Sequence, residues 1–192
     1  MGADIREMAD GGVAAYQDPE RLEYWRTIER FPKPIVAAVR GYALGGGCEL
    51  MMLCDIALAG DSAKIGQPEI TIASIPGDGG TQRLPRFVGK SLAMQMVLTG
   101  AIFTAKQMKE AGLISEVLCD ESVVERAFEL ARRIAHLPST AVKLAKAAVL
   151  AAYELPLSEG LLREQKLTVQ TFSTVDRAEG LAAFFERRET TF

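Results

Sequence analysis

Apolar and polar positions along the 192-residue chain fall into short, unbroken apolar runs in its first two-thirds and longer amphipathic stretches throughout. Pro34-Ile-Val-Ala-Ala-Val39 is short, β-branched and free of charge, which predicts a strand buried on both faces. Asp55-Ile-Ala-Leu-Ala59, Ala63-Lys-Ile65 and Leu113 to Leu118 read as further strands. Ahead of them, Asp18-Pro19-Glu20 supplies an N-cap, a proline at the first helical position and an early acid. Leu22, Tyr24, Trp25, Ile28 and Phe31 then mark the apolar side of a helix ended by Pro32 and Pro34, with Trp25 as a core anchor. Residues 5 to 8 predict a short helix entered from a loop. Ile75 to Gly80 is rich in turn residues and opens helices through Leu98. Thr104-Ala-Lys-Gln107 has the form of a capping box for a helix closed at Gly112.

From Asp120 onward the pattern predicts only helix. Asp120 is expected to cap a run to about His136, and Pro138, Pro156 and Ser173-Thr174 separate three more segments ending at Arg188. The expectation is an α/β core over residues 1–136 and an all-helical region over 137–192. Ala141, Leu144, Ala145, Ala148 and Ala152 make a small-residue face suited to close packing, including against a neighbouring subunit.

Composition narrows this little: 48% hydrophobic and 24% charged residues describe an ordinary folded domain. A net charge of −3 gives no footprint for nucleic acid or anionic lipid, and Asp55 and Asp61 break the longest apolar run below the length of a membrane span. Cys48, Cys54 and Cys119 lack paired ligand spacing, which points to buried reduced thiols and away from a metal site or disulfide.

The candidate chemistry lies in Gly41-Tyr-Ala-Leu-Gly-Gly-Gly-Cys-Glu-Leu50. A strand enters these glycines, and the Leu- and Met-rich stretch from Cys48 to Cys54 leaves them as a short helix. Consecutive glycines allow a ligand to approach the backbone, and the free N–H groups of a helix start suit an oxyanion. Glu49 stands one turn inside that helix. The competing reading is a glycine hinge for tight packing with Glu49 as a solvated acid. Val88-Gly-Lys-Ser91 ends like a phosphate-binding loop, but the first glycine of that motif falls on Leu84. Gly45 and Gly47 begin a dinucleotide fingerprint whose third glycine falls on Leu50. His136, the single histidine, lies in a helix just before a proline and away from the glycine turns, so core or helix-end packing is its expected role. Carboxylate chemistry remains. Glu49 follows one glycine turn, Glu69 precedes another, and both have apolar neighbours that raise a carboxyl pKa.

Gly2-Ala-Asp-Ile-Arg-Glu-Met8, Pro34 to Glu49, Gly66-Gln-Pro-Glu69 and Ile75-Pro-Gly-Asp-Gly-Gly-Thr-Gln-Arg-Leu84 together resemble the enoyl-CoA hydratase branch of the crotonase superfamily. The likeness continues through Gly89 to Met94, Leu98-Thr-Gly100, Ala111-Gly-Leu113 and Glu179-Gly180, covering nearly the whole chain. It implies an α/β fold, a crotonase-like spiral of ββα turns followed by a helical trimerisation tail. It also implies syn hydration of a trans-2-enoyl-CoA to the 3-hydroxyacyl-CoA, as in fatty acid β-oxidation. Glu49 and Glu69 would be the catalytic pair, and the N–H groups of Ala3 and Gly46 the oxyanion hole. Ala3, Asp4, Ile5 and Arg6 would line the CoA, Gln67 would support Glu69, and Gly77 would shape the wall near the acyl carbons.

No separate cofactor or metal is implied, since coenzyme A is part of the substrate. The implied assembly is a homotrimer or a dimer of trimers. Set against the family pattern, the chain is expected to be N-terminally truncated, without the first turns of the spiral and part of the adenine pocket. Asp78 departs from the small residue common there. A fragment with impaired catalysis, a non-catalytic subunit and an enoyl-CoA isomerase are the alternatives, although isomerases usually depart from the paired glutamates. The start Met-Gly-Ala-Asp-Ile-Arg has neither a secretory nor a transit signature and leaves the compartment open; the resemblance implies the cytoplasm for a bacterial source or the mitochondrial matrix for a eukaryotic one.

Overall fold

A computed structural model describes residues 5–192. Ala3 and Asp4, two of the expected CoA-lining residues, lie outside the described residues. The chain divides into two units, Met1–Phe31 with Ile35–Phe128 and Pro32–Pro34 with Glu129–Phe192.

The first unit opens with α1 (Ile5–Tyr16), interrupted at Gly12, and α2 (Pro19–Glu29). Asp18 caps α2 as its sequence predicts, accepting from the Glu20 and Arg21 amides. Trp25 is only half-buried and α2 contributes no buried residue, so Trp25 is not the core anchor expected of it. It lines an open cleft instead.

Two three-stranded sheets follow. The first has the order β1 (Val36–Val39), β3 (Ile56–Gly60), β6 (Glu116–Leu118), all parallel. The second has β2 (Tyr42–Leu44), β4 (Lys64–Gly66) and β5 (Ile102–Thr104), with β2 and β4 parallel and β5 antiparallel to β4. β5 shares its sheet with β4, but before it consecutive strands belong to different sheets: the chain turns at Gly41, whose φ is 67°, from β1 into β2, and crosses again from β3 to β4. Each pair then leads into helix or turn, giving the repeating ββα course.

Beyond β2 comes α3 (Gly46–Leu53), and beyond β4 a short 3-10 turn (Glu69–Ile72) and α4 (Gly80–Thr99), interrupted at Gly89. The capping box at Thr104 forms, starting α5 (Ala105–Glu110). Side chains of α3, α4, α5 and the strands meet in one core around Cys48, Met51, Ile65, Leu84, Met96 and Met108. Central β3 is buried over Ala57–Gly60, whereas Ala38 of β1 is exposed. The expectation of two covered faces for Pro34–Val39 is therefore not met, because β1 stands at a sheet edge among the described residues.

Two other expectations change. Asp120 does not begin a helix; its carboxylate binds the Ser62 hydroxyl, and α6 starts later (Val123–Ala135). The cysteines are free, but only Cys48 is buried, Cys54 is half-buried and Cys119 is exposed. A buried position needs an apolar neighbour on every side, which Cys119 lacks in the turn after β6.

In the second unit, α7 (Ser139–Ala151) packs on α8 (Leu157–Thr171), and α9 (Val175–Glu186) follows, capped by Thr174. The face of α7 named from the sequence is partly covered: Ala141, Leu144 and Ala148 are half-buried, while Ala145 and Ala152 are exposed. Arg188 grips Glu179 and Thr191 donates to the same carboxylate, tying the last residues back to α9 and holding the Glu179 pKa down at about 2. His136 donates through Nδ1 to the Arg132 carbonyl, 2.7 Å away, at the end of α6. No helix among the described residues is long and apolar enough to cross a membrane.

Candidate active site

The site follows from the parallel pairing of β2 with β4. Leu44 lies opposite Gly66 in the register, so both strands end side by side and both successor segments start at one place. The ladder runs one bond further, with the Gly45 N–H donating to the Gly66 carbonyl at 3.0 Å. One successor is Gly45-Gly46-Gly47-Cys48-Glu49, and the other is Gln67-Pro68-Glu69. The sequence marks both glutamates, but not the short β2 inside the glycine motif that brings them together.

Gly45 caps α3 with φ 54° and ψ −126°, a conformation that side chains other than glycine's rarely adopt. A Cβ there would also lie 3.1 Å from the Glu69 Oε1. The Gly45 carbonyl accepts the Glu49 N–H at 3.0 Å, so the N–H groups ahead of it, Gly46 included, belong to the first turn, which has no intrahelical acceptor. Gly46 is not among the glycines of positive φ.

Glu49 is 2% exposed. Its Oε1 accepts two backbone bonds from the loop before α4, from Asp78 at 2.8 Å and Gly80 at 2.7 Å. A side chain at Gly80 would meet the Pro76 Cβ at 2.7 Å and Glu49 Oε1 at 3.0 Å, so only glycine lets this amide come so close. Burial raises the Glu49 pKa; the two amides and the Arg21 charge pull it back, and Asp78 adds to the rise. Glu69 begins the 3-10 turn half-buried, and its pKa also rises, first through burial and then through the Glu49 and Asp78 charges.

Gln67 is wholly buried beside Glu69. With its nitrogen turned that way, its amide donates to Oε1 at 2.8 Å and Oε2 at 3.1 Å. The opposite orientation would set oxygen against oxygen, so hydrogen bonding selects the first. The same amide group lies beside Gly80, and the chain of contacts Glu49, Gly80, Gln67, Glu69 closes the floor of the site.

The wall holds groups that sequence reasoning missed. Tyr16, at the end of α1, donates its hydroxyl to the Gly77 carbonyl at 2.5 Å. Arg21 of α2 forms an ion pair with Asp78 and stacks 4.9 Å over the Tyr16 ring. Arg83 donates to the Asp78 carbonyl at 2.9 Å and to Glu29 at 2.7 Å. These partners are 61 and 57 residues apart for Tyr16–Gly77 and Arg21–Asp78, and no local pattern announces them. Beside them an open cleft of about 240 Å³ is lined by Leu22, Trp25, Leu53 and Gly79, among others.

Of the remaining expected residues, Ile5 begins α1 and Arg6 is exposed on it, whereas Gly77 is exposed in the loop under Tyr16. No cluster of metal-ligating side chains occurs among the described residues. The arrangement offers two neighbouring carboxyl groups of raised pKa, Glu69 beside Gly45 at the start of α3 and Glu49 held by the loop before α4. That combination can move a proton onto or off carbon while holding a developing oxyanion.

Comparison with known proteins identifies the family. The family described as Enoyl-CoA hydratase/isomerase matches residues 1–192. The chain is 49% identical over 191 residues to the mitochondrial enoyl-CoA hydratase of Pongo abelii, covering all of this chain and 66% of that protein. It is 46% identical to the 2,3-dehydroadipyl-CoA hydratase of Escherichia coli K12, covering all of this chain and 75% of that one. A crystal structure of an enoyl-CoA hydratase from Bacillus anthracis superposes with a TM-score of 0.88 at 38% identity, over all of this chain and 75% of its own. The chain therefore spans two-thirds to three-quarters of the length of these relatives. With this extent of match in sequence and in fold, the chain belongs to the enoyl-CoA hydratase/isomerase family, in the enoyl-CoA hydratase branch of the crotonase superfamily.

Proposed function

We propose that the site adds water across the double bond of a trans-2-enoyl-CoA. The observation behind this reading is the pairing of β2 with β4, which brings Glu69 beside Gly45 at the start of α3 and sets it near Glu49, both carboxyl groups having raised pKa. The thioester oxygen is held by the Gly46 N–H, partnered in the family pattern by that of Ala3. Glu49, ionised, takes a proton from the water whose oxygen bonds to C3. The π electrons move into an enolate on the thioester oxygen, and protonated Glu69 delivers a proton to C2. Transfer of a proton from Glu49 back to Glu69 restores the starting state. Gln67 keeps Glu69 aimed, and Arg6 with Ile5 contacts the CoA portion.

The same reading includes a homo-oligomer, a trimer or a dimer of trimers. Support comes from the second unit, where Leu157, Val169, Phe172, Val175, Phe184 and Phe185 are each more than 60% exposed. The test is incubation of the purified chain with crotonyl-CoA, following loss of the conjugated thioester and identifying the product. Formation of 3-hydroxybutyryl-CoA is expected; a folded chain that leaves crotonyl-CoA unchanged overturns the reading.

A further inference from the structure

Resting on the reading of Glu49 as a catalytic group, we propose that Arg21 is a positioning residue: by gripping the Asp78 carboxylate it holds the Asp78 and Gly80 amides on Glu49 Oε1 and cancels the negative charge of Asp78 beside that glutamate. Asp78 plays two parts. Its N–H binds Glu49, 2.8 Å away, while its carboxylate binds Arg21. Left unpaired, that carboxylate would stand against the carboxyl group its own backbone supports.

The pair is withdrawn from solvent, with side-chain exposures of 19% for Arg21 and 10% for Asp78, so salt screens it weakly. It is also one of several ties on the loop before α4, beside the Asp78 and Gly80 amides that reach Glu49. Tyr16 fixes Gly77, Arg83 fixes the Asp78 carbonyl, and Arg21 holds the Asp78 charge. The cation–π contact with Tyr16 sets the Arg21 guanidinium in place, so α1 and α2 together determine where the loop amides point.

The charged and titratable groups around Glu49 are few. Asp78 faces it from the loop, Arg21 from α2, Tyr16 from α1 and Glu69 from the 3-10 turn, with Cys48 next to it on α3. The Cys48 thiol is pushed up to about 12 by burial, and burial also raises the Tyr16 phenol above its ordinary value. Both are therefore neutral where hydration would be assayed. Asp78 and Arg21 act on Glu49 with opposite signs, the first raising its pKa and the second lowering it.

Opposite signs give a test that a merely structural role would fail. In Arg21→Met the uncancelled Asp78 charge moves the acid limb of the kcat/KM profile upward by about one pH unit, and in Asp78→Ala the uncancelled Arg21 charge moves it downward. The double variant returns the limb to its wild-type position, and Arg21→Lys, which keeps the charge, stays close to it. The Glu49 side-chain carboxyl is also titrated by carbon-13 NMR in each protein. That reading is independent of turnover, so a failure of the hydratase assignment and a failure of this proposal are distinguishable. Thermal unfolding checks that each variant is folded, and should Arg21→Met not fold, Asp78→Ala and Arg21→Lys decide. Single variants that shift the Glu49 titration in the same direction, or not at all, overturn the proposal.

Discussion

Replacing Glu49 by Gln and by Ala separates its chemistry from its place in the fold. Gln keeps an oxygen for the Asp78 and Gly80 amides, whereas Ala leaves both donors buried without an acceptor. An unsatisfied buried donor costs about 1–3 kcal/mol, so Glu49→Ala should lose roughly 2–6 kcal/mol of stability. That is a large part of the ~5–15 kcal/mol of an ordinary domain. It corresponds to a fall in Tm of about 5–20 °C for a chain of this size. Glu49→Gln should lose little stability but about 10²–10⁴ in kcat, the usual worth of a positioned acid or base.

The pH dependence of stability has a definite sign. The folded-state pKa of Glu49 is raised, so between the ordinary carboxylate value and that raised value the folded state holds the extra proton. Stability from this group falls as pH rises through the window, and a neutral Gln escapes the fall. The Tm of Glu49→Gln should therefore gain on wild type as pH increases from the ordinary carboxylate range. Calorimetry at several pH values with hydration kinetics reads all three effects. A Gln variant retaining more than a tenth of kcat, or as unstable as the Ala variant, refutes the assignment.

Gly46→Pro removes one N–H at the first position of α3, where proline is tolerated because that donor has no intrahelical acceptor. It should lower kcat about 10²–10³-fold with the fold preserved, while Gly46→Ala, which keeps the N–H, stays active. Normal hydration by a folded proline variant would exclude Gly46 as an oxyanion donor. Gly45→Ala forces a side chain into φ 54°, ψ −126° and sets a methyl 3.1 Å from Glu69 Oε1, costing roughly 1–3 kcal/mol in backbone strain. Both Tm and kcat should fall, and an unchanged Tm would contradict the strain.

The readable part of this protein was local. Asp18, Thr104 and the glycine turns are signalled by neighbours within a few residues, and their caps form as the spacing predicts. Glu49 and Glu69 stood out because glycines flank them, a short-range property of the sequence. What escaped reading is pairing between distant segments. Strands β2 and β5 have three residues each, too few to show a period, and they exist because β4 offers them a partner on either side. Nothing in the sequence around Tyr16 or Arg21 marks them, because their partners Gly77 and Asp78 lie in the loop after Glu69. Trp25 failed as a core anchor for the complementary reason: its amphipathic stripe faces an open cleft rather than a packed layer.

The central claim is that two carboxyl groups handle one water from the same side of the double bond. Hydration of crotonyl-CoA in deuterium oxide tests it most directly, with the product's configuration at C2 and C3 read by NMR. The account predicts one deuterium at C2, placed on the same face as the new hydroxyl, because Glu69 and Glu49 flank a single site at the ends of β4 and β2. Deuterium on the opposite face, or migration of the double bond without addition of water, would contradict it.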